Sequence, residues 1–272
     1  TNDAPTVATP VTDQNATEDS AFSFTFPANT FTDADAGDSL SYTTSTLPNW
    51  LSFNAATRTF TGTPANADVG STTITVTATD GSGATASDSF TLTVLNTNDA
   101  PTLATPVADQ SATEDSAFSF TLPAGTFTDV DAGDSLAYSV TGLPSWLSFD
   151  AATRTFTGTP TNADVGSTTI SVIATDGSGA TASDSFTLTV ANTNDAPTVA
   201  SEIADQSATE DIPFNFTFPA NTFTDVDAGD SLAYSVTGLP SWLSFDAATR
   251  SFTGAPTNTD VGSATITVTA TD

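Results

Sequence analysis

The chain has 272 residues, of which 32 are Asp or Glu and only three are Lys or Arg, so its formal net charge is −29 at pH 7. Nucleic acids and anionic membranes would repel such a chain, which excludes both as direct partners and makes cations the ions it should concentrate. It contains no Cys, Met or His, which excludes disulfides, thiol nucleophiles and Cys/His zinc sites. No apolar run approaches the roughly 18 residues of a membrane-spanning helix, so we expect no direct insertion into a membrane.

One pattern occurs three times along the chain at a spacing of 96 residues. Residues 129–154 and 225–250 are identical, which indicates recent duplication. The constant spacing predicts three tandem domains, at residues 1–97, 98–193 and 194–272. The repeated positions include Trp50, Trp146 and Trp242, and also Arg58, Arg154 and Arg250.

Each copy consists of short runs in which apolar residues alternate with Thr or Ser, separated by Gly, Pro, Asn and Asp. Such period-two alternation predicts strands with one face in a core, and no stretch has the apolar stripe of a helix. We therefore predict an all-β fold of tandem seven-stranded Greek-key β-sandwiches of cadherin or immunoglobulin type. In the second copy the runs are, in chain order, 118–122, 137–140, 146–149, 155–157, 168–174 and 186–190.

The third copy ends at Asp272, before counterparts of the glycine turn 177–179 and the strand 186–190. We expect this module to lack its last strand, which leaves a sheet edge open. The sequence is therefore interpreted as a segment of a longer exported protein that has been trimmed, with strand donation by a neighbouring chain as the rarer alternative.

Four acidic elements recur in the predicted loops of each copy: Thr-Glu-Asp, Asp-x-Asp-x-Gly-Asp, Asn-x-Asp-Val-Gly and Thr-Ala-Thr-Asp-Gly. Asp residues at i and i+2 of an irregular loop can turn both carboxylates toward one ion, and hard oxygen ligands without soft ones suit calcium. One such triplet is a weak signal, because it also forms ordinary Asx turns. Four elements in a fixed order, together with the polar joint Asn96–Pro101 and its second copy at 192–197, favour a calcium site.

As a set, these motifs resemble the dystroglycan-type cadherin-like domains of bacterial surface proteins. The resemblance lies in Thr-Glu-Asp-x-x-Phe, Thr-Asp-x-Asp-Ala-Gly-Asp-Ser-Leu-x-Tyr, Leu-Pro-x-Trp-Leu-Ser-Phe and Ile-x-Val-x-Ala-Thr-Asp-Gly, and the joint is similar to the cadherin linker. It implies calcium between consecutive domains. Asn96 stands where the cadherin linker begins with Asp, and Asn-Ala-Asp-Val-Gly offers one acid where cadherins offer two, so we expect roughly one to three ions per junction.

The resemblance implies three sets of calcium ligands, which we take as the candidate metal sites. The first junction would use Glu18, Asp68, Asn96, Asn98, Asp99, Asp129, Asp131 and Asp176. The second would use Glu114, Asp164, Asn192, Asn194, Asp195, Asp225, Asp227 and Asp272. Half of a further junction would be formed by Asn2, Asp3, Asp33, Asp35 and Asp80.

Two other repeated residue types have structural and functional interpretations. Each Trp lies in Pro-x-Trp-Leu-Ser-Phe, where core packing is favoured over an exposed ring that stacks on sugars. Each Arg follows Ala-Ala-Thr in a predicted turn, where a local ion pair with an Asp such as Asp150 is favoured over recognition of an anionic partner.

Catalysis is not expected from this sequence. Glycosidases use paired carboxylates, but they need a cleft with distinct environments for acid and base, whereas here the same loop acids recur in every copy. The predicted function is a calcium-rigidified spacer or stalk in an extracellular, secreted or surface-attached bacterial adhesin. Its partners would be calcium ions and the neighbouring repeats. The alternative is a calcium-dependent module that binds polysaccharide or like repeats on another cell.

Overall fold

The computed structural model describes residues 1–272 and consists almost entirely of β-strands. A 3₁₀ turn occurs once in each repeat, at Asn66–Asp68, Asn162–Asp164 and Asn258–Asp260. The strands of the first repeat are β1 (Thr6–Val7), β2 (Gln14–Thr17), β3 (Phe22–Thr25), β4 (Phe31–Thr32), β5 (Ser41–Thr44), β6 (Leu51–Asn54), β7 (Thr59–Gly62), β8 (Gly70–Thr79) and β9 (Thr85–Leu95).

The second and third repeats carry the next sixteen strands. Those of the second are β10 (Thr102–Leu103), β11 (Gln110–Thr113), β12 (Phe118–Thr121), β13 (Phe127–Thr128), β14 (Ala137–Thr141), β15 (Leu147–Asp150), β16 (Thr155–Gly158), β17 (Gly166–Thr175) and β18 (Thr181–Ala191). Those of the third are β19 (Thr198–Val199), β20 (Phe214–Thr217), β21 (Phe223–Thr224), β22 (Ala233–Thr237), β23 (Leu243–Asp246), β24 (Ser251–Gly254) and β25 (Thr267–Thr271).

The chain divides into two compact units. The first comprises Thr1–Pro106 with Ala124–Ser139 and Ile173–Ser183, so it contains the whole first repeat and part of the second. The second comprises Val107–Pro123, Val140–Val172 and Asp184–Asp272. The domain boundaries drawn at residues 97 and 193 stay predictions.

In the first unit, the first repeat is a seven-stranded sandwich. One sheet has the order β2-β9-β8-β5 and the other the order β3-β7-β6, while β1 and β4 form a separate antiparallel pair. Strand β2 runs parallel to β9, and the other pairs are antiparallel. The prediction of all-β sandwich repeats is confirmed.

The period-two pattern of β8 and β9 explains the core of this repeat. Ile74 and Val76 are fully buried, whereas Thr75 and Thr77 between and after them face outward. Their hydroxyls lie 2.8 Å from Ser89 Oγ and 2.9 Å from Ser87 Oγ across the strand pair. Alternation therefore separates an apolar face from a face covered with hydroxyl groups.

Two aspartates hold β2 beside β9. Asp88 Oδ2 accepts a hydrogen bond from the Val11 backbone N–H at 2.6 Å, and Asp13 Oδ1 accepts one from the Thr91 N–H at 2.7 Å. The second unit repeats both contacts, between Asp184 and Val107 at 2.6 Å and between Asp109 and Thr187 at 2.7 Å. Not every repeated acid is therefore a candidate cation ligand.

The tryptophans pack against the core with part of each ring exposed. The Trp50 ring meets Phe22 edge to face at a centroid distance of 6.0 Å and joins the hydrophobic core of the first unit. A Cβ atom on Gly62 would lie 2.1 Å from the Trp50 carbonyl oxygen, so only glycine fits there. Trp50 therefore packs against the core, which is the interpretation favoured from the sequence.

Each repeated Arg sits in a tight turn with the left-handed backbone conformation. The φ angles of Arg58, Arg154 and Arg250 are 60°, 56° and 58°. In the turn before Arg154, Asp150 Oδ1 accepts the backbone N–H groups of Ala152 at 2.9 Å and Thr153 at 3.3 Å. These hydrogen bonds, with Thr153 the largest contributor, lower the pKa of Asp150. Asp150 thus has a local role, and its ion pair with an Arg stays a prediction.

In the second unit, the third repeat has a smaller second sheet than the first repeat. Strands β20, β24 and β23 form one sheet, but β22 pairs only with β25, giving two strands where the first repeat has four. A cavity of about 1440 Å³ opens there, and Phe216, Trp242 and Ile266 are among its lining residues. This agrees with the expectation of a repeat without its last strand.

Replacing Gly62 by alanine tests the close approach of Trp50. We expect Gly62→Ala to lower the free energy of unfolding by about 2 kcal/mol or more, because its Cβ would overlap backbone that cannot easily move. Gly81→Ala is the matched control, since a Cβ there meets nothing within 4 Å and the change should stay within about 0.5 kcal/mol. Calorimetric unfolding of both variants measures the difference, and equal stabilities would contradict this packing.

Candidate metal centre

Three carboxylates converge where the first repeat meets the joint. Oxygen atoms of Glu18, Asp99 and Asp131 all lie within 4.8 Å of one another. Glu18 follows β2, Asp99 belongs to the joint, and Asp131 follows β13 in the second repeat. Glu18 is 1% exposed and Asp131 is 7% exposed. The first unit therefore gathers acids from two repeats into one largely buried cluster.

The loop after β2 fixes the Glu18 side chain. Its backbone N–H donates to the Leu95 carbonyl at 3.1 Å, and Asp19 then turns the chain with a φ of 53°. Glu18 Oε1 accepts the Thr97 backbone N–H, whereas Oε2 is buried and has no hydrogen-bond partner. A carboxylate oxygen that has lost water without gaining a donor is costly, so this atom is suited to a cation.

Both carboxylate oxygens of Asp131 accept hydrogen bonds. Asn66 Nδ2 donates to its Oδ1 at 2.9 Å, and the Asp99 N–H donates to its Oδ2 at 2.7 Å. The Asp131 N–H in turn donates to Asp129 Oδ1 at 2.9 Å, which is the Asx turn expected of an Asp-x-Asp loop. Asp129 Oδ2 is a second buried carboxylate oxygen without a partner.

The electrostatics of the joint differ between Asp99 and Asp176. Desolvation, and then the nearby charges of Asp131, Asp19 and Asp129, raise the pKa of Asp99 above its ordinary value. Asp176 has a lowered pKa, chiefly because Asn98 Nδ2 donates to its Oδ2 at 2.9 Å. Asp99 thus lies where negative charge is unfavourable and a cation would be favourable.

The second unit builds the same arrangement at the second joint. Carboxylates of Glu114, Asp195 and Asp227 form the cluster. Glu114 is 1% exposed, and its Oε2 is again buried without a partner, as is Asp225 Oδ2. The corresponding hydrogen bonds are Asn162 Nδ2 to Asp227 Oδ1 at 2.8 Å, Asp195 N to Asp227 Oδ2 at 2.7 Å, Asp227 N to Asp225 Oδ1 at 3.0 Å and Asn194 Nδ2 to Asp272 Oδ2 at 2.7 Å.

Other candidate ligands from the sequence lie outside these clusters. Asp68 Oδ2 accepts the Ala65 N–H at 2.9 Å, and Asp164 Oδ2 accepts the Thr161 N–H at 2.9 Å, so both acids cap their 3₁₀ turns. Asn96 and Asn192 are exposed. Their roles as ligands stay predictions.

The N-terminal residues form a similar but smaller group. Asn2 Nδ2 donates to Asp80 Oδ2 at 2.9 Å, and the Asp3 N–H donates to Asp35 Oδ2 at 2.7 Å. The Asp35 N–H donates to Asp33 Oδ1 at 2.8 Å. These hydrogen bonds match those of Asn98, Asp99 and Asp131 at the first joint.

Two kinds of residue at the clusters are absent from the predicted ligand sets. Asn66 and Asn162, which contact the clustered acids directly, begin the Asn-x-Asp-Val-Gly motif, whose Asp two positions later is the predicted ligand. The third acid of each Asp-x-Asp-x-Gly-Asp loop belongs to the motif but not to the predicted ligand sets. The structure groups it with the other two in Asp38, Asp134 and Asp230.

The donor set fits a hard divalent cation. Every grouped side chain offers carboxylate oxygen, and the chain has no Cys or His to favour zinc or copper. Calcium takes about six to eight oxygen ligands in flexible geometry, which a loop cluster with carboxylates and carbonyls can supply. The buried oxygens of Glu18 and Asp129 that have no hydrogen-bond partner are the atoms that such an ion could contact.

Three segments, residues 4–95, 100–191 and 196–272, match the domain family described as "Putative Ig domain" (He_PIG). The chain belongs to this family. Its tandem immunoglobulin-like repeats agree with the predicted architecture, while the narrower dystroglycan-type assignment stays a prediction.

Among curated proteins, the chain is similar to a bacterial adhesin. It is 41% identical over 134 residues to the serine-rich adhesin for platelets of Staphylococcus aureus strain MRSA252. The match covers 49% of this chain and 9% of that protein. The similarity fits the repeat region of an adhesin.

Among solved structures, the chain has the fold of cadherin repeats. Mouse cadherin-23 EC22–24 aligns with a TM-score of 0.68 and 21% identity over 100% of this chain and 94% of that one. The protocadherin GammaB4 extracellular domain aligns with a TM-score of 0.63 and 18% identity over 99% and 47%. No helix of the chain is long and apolar enough to cross a membrane.

Asp99→Asn tests the repulsion in the cation-free joint. Because the folded-state pKa of Asp99 is raised, protonation is easier in the folded chain, and stability linked to this group increases as pH falls. In chelator at pH 7, Asp99→Asn should therefore raise the unfolding temperature, and the gain should diminish as the pH falls through the Asp99 pKa. Asp3→Asn is the control, because Asp3 occupies the same position in the N-terminal group. An Asp99→Asn effect no larger than that of the control would contradict the repulsion.

Proposed function

We propose that this chain is a calcium-rigidified extracellular repeat segment that acts as a spacer or stalk in a bacterial adhesin-type surface protein. The observation that carries the proposal is the convergence of Glu18, Asp99 and Asp131, with Glu18 Oε2 buried and without a donor. These acids come from one repeat, the joint and the next repeat, so an ion held by all three would fix the joint.

Calcium would stabilise the joint by neutralising crowded carboxylates. Like charges within a few ångströms of one another repel strongly where water is scarce, and salt screens such partly buried groups only weakly. The core ligands at the first joint would be Glu18, Asp99, Asp129 and Asp131. Further proposed ligands are Asp68, Asn96, Asn98 and Asp176 at this joint, Asp164, Asn192, Asn194 and Asp272 at the second, and Asn2, Asp3, Asp33, Asp35 and Asp80 at the N-terminal group.

The expected affinity is consistent with a role outside the cell. Calcium sites of extracellular modules bind with dissociation constants of roughly 0.1 to 1 mM, so cytosolic calcium would leave the joints empty. The stiff state would then form after export. The similarity to a staphylococcal adhesin supports a surface location.

The proposed role of the chain is structural, without a catalytic step. It is supported by the clustered acids, which recur at both joints in the same hydrogen-bonded arrangement. The family and the similar proteins are also of the immunoglobulin, adhesin and cadherin types.

Calcium titration by calorimetry tests the site through Glu18. Glu18→Gln keeps the shape of the side chain but removes its charge, and we expect it to weaken calcium binding at the first joint at least about tenfold, equivalent to about 1.4 kcal/mol. Glu114→Gln should have the same effect at the second joint. The matched control is Glu210→Gln, because this glutamate occupies the same motif position but is exposed and outside the grouped acids.

The titration has clear opposing outcomes. Heat that saturates at millimolar calcium or below supports the proposal if calcium stabilises the Glu18 and Glu114 variants less than the unsubstituted chain and stabilises the Glu210 variant equally. Absence of heat and of stabilisation in the unsubstituted chain would contradict it.

A second candidate function is calcium-dependent binding of polysaccharide or of like repeats on another cell. The observation that favours it is the partly exposed Trp50 beside a cavity of about 140 Å³ that Asp68 also lines. This cavity is smaller than the roughly 300 to 1,000 Å³ of ordinary ligand pockets, so any sugar would bind at the surface. Calcium-dependent aggregation of beads that carry the chain would favour this function over a spacer.

A further inference from the structure

The first strand of the four-stranded sheet and the last strand of the repeat lie side by side and run parallel. In the first repeat, β2 pairs with β9 from Gln14 opposite Leu92 to Thr17 opposite Leu95. The joint follows β9 directly, and β2 follows the segment by which the chain enters the repeat. A force that stretches the repeat from its two ends would therefore pull β2 and β9 lengthwise in opposite directions.

Two aspartates extend this pairing beyond β2. Asp13, the residue immediately before β2, accepts the Thr91 N–H through Oδ1 at 2.7 Å. Asp88 Oδ2 accepts the Val11 N–H at 2.6 Å, and Val11 is itself buried in the core. We call these two hydrogen bonds the aspartate clamp. One bond has its donor on β9 and the other has its donor on the entering segment, so the clamp connects the two segments in both directions.

Both bonds of the aspartate clamp are short and have a charged acceptor. Their lengths of 2.6 and 2.7 Å lie below the roughly 2.9 Å that is usual between an N–H nitrogen and oxygen. Hydrogen bonds to a carboxylate are about twice as strong as neutral ones. In the second unit, the bonds from Val107 to Asp184 and from Thr187 to Asp109 have the same two lengths. The clamp therefore occurs in both the first and the second repeat.

We propose that the aspartate clamp and the parallel pair of β2 and β9 form the load-bearing element of the repeat, and that resistance to tension is a further function of this chain. Asp13 and Asp88 bear the load in the first repeat, and Asp109 and Asp184 bear it in the second. The use of this resistance in a surface stalk rests on the proposed function. The resistance itself requires no cation.

The direction of the force explains why two hydrogen bonds matter at this place. Strands that are pulled apart from one end lose their hydrogen bonds one at a time, whereas strands pulled lengthwise in opposite directions must lose them together. Since β2 has only four residues, two further charge-assisted bonds are a large addition to those that break in one step. Forced unfolding is governed by the rate of unfolding, so the bonds that break in this step determine the lifetime under load.

Constant-force unfolding of the whole 272-residue chain in chelator tests the aspartate clamp. The chain has no cysteine, so the double variant Thr9→Cys and Thr97→Cys attaches handles at exposed positions before β2 and after β9. In this background, Asp13→Ala and Asp88→Ala should each shorten the lifetime of the first repeat at fixed force at least about tenfold, since each removes a hydrogen bond to a charged acceptor. Asp13→Asn keeps an acceptor oxygen without the charge and should have a smaller effect.

A second pair of handles separates load bearing from ordinary stabilisation of the fold. Ala55→Cys and Ser82→Cys, both at exposed positions, load the chain between them and leave β2 and both clamp aspartates outside the loaded segment. With these handles, Asp13→Ala and Asp88→Ala should change the lifetime much less than with the first pair.

Two outcomes would overturn the proposal: an unchanged lifetime with the first pair of handles, or equal shortening with both pairs. If an alanine variant does not fold, Asp13→Asn and Asp88→Asn give the same comparison with a smaller effect. Because the measurement is made in chelator, its result is separate from that of calcium titration. The load-bearing role can therefore fail while the calcium site stands, and the reverse.

Discussion

The joint depends on a buried carboxylate that has a hydrogen-bond donor on only one of its two oxygens. Glu18 and Glu114 are almost completely buried, each with one oxygen bound to a backbone N–H of the joint and the other bare. A buried charge of this kind is tolerated only where something offsets it, and the side chains grouped with each glutamate are two further acids. This unfavourable arrangement occurs at both joints with equivalent partners. We therefore interpret it as a cation-binding site.

The sandwich fold brings these acids together because it places the loops that carry them close to one another, outside the sheets. In the first unit, the turn after β2 supplies Glu18, the chain leaving β9 supplies Asp99, and the loop after β13 supplies Asp131. Backbone and amide hydrogen bonds to Asp131 hold the loop from the next repeat against this group. A neutral hydroxyl-covered face lies on the outer side of β8 and β9, so the acidic groups are concentrated at the loops.

Much of the architecture could be predicted from the sequence because its signals are local. Period-two alternation places Ile74 and Val76 inward, and the 96-residue spacing sets the repeats. The clustering of Glu18, Asp99 and Asp131 followed from family resemblance, since the three lie far apart in sequence. Asn66 could not be chosen over Asp68 in this way, because which side chain of a three-residue turn faces the next loop depends on tertiary geometry. The same holds for Asp13 and Asp88, which carry the same charge as the joint acids but accept backbone N–H groups of Thr91 and Val11.

The most direct test of the account is the distance distribution across the first joint with and without calcium. The chain has no cysteine, so the double variant Ala55→Cys and Ser139→Cys accepts two spin labels at exposed positions of the first unit. Pulsed dipolar spectroscopy should give a narrow distribution in calcium and a broader one in chelator, because repulsion among the joint acids loosens the contact between repeats. Identical distributions in the two conditions would contradict the claim that calcium stiffens this chain.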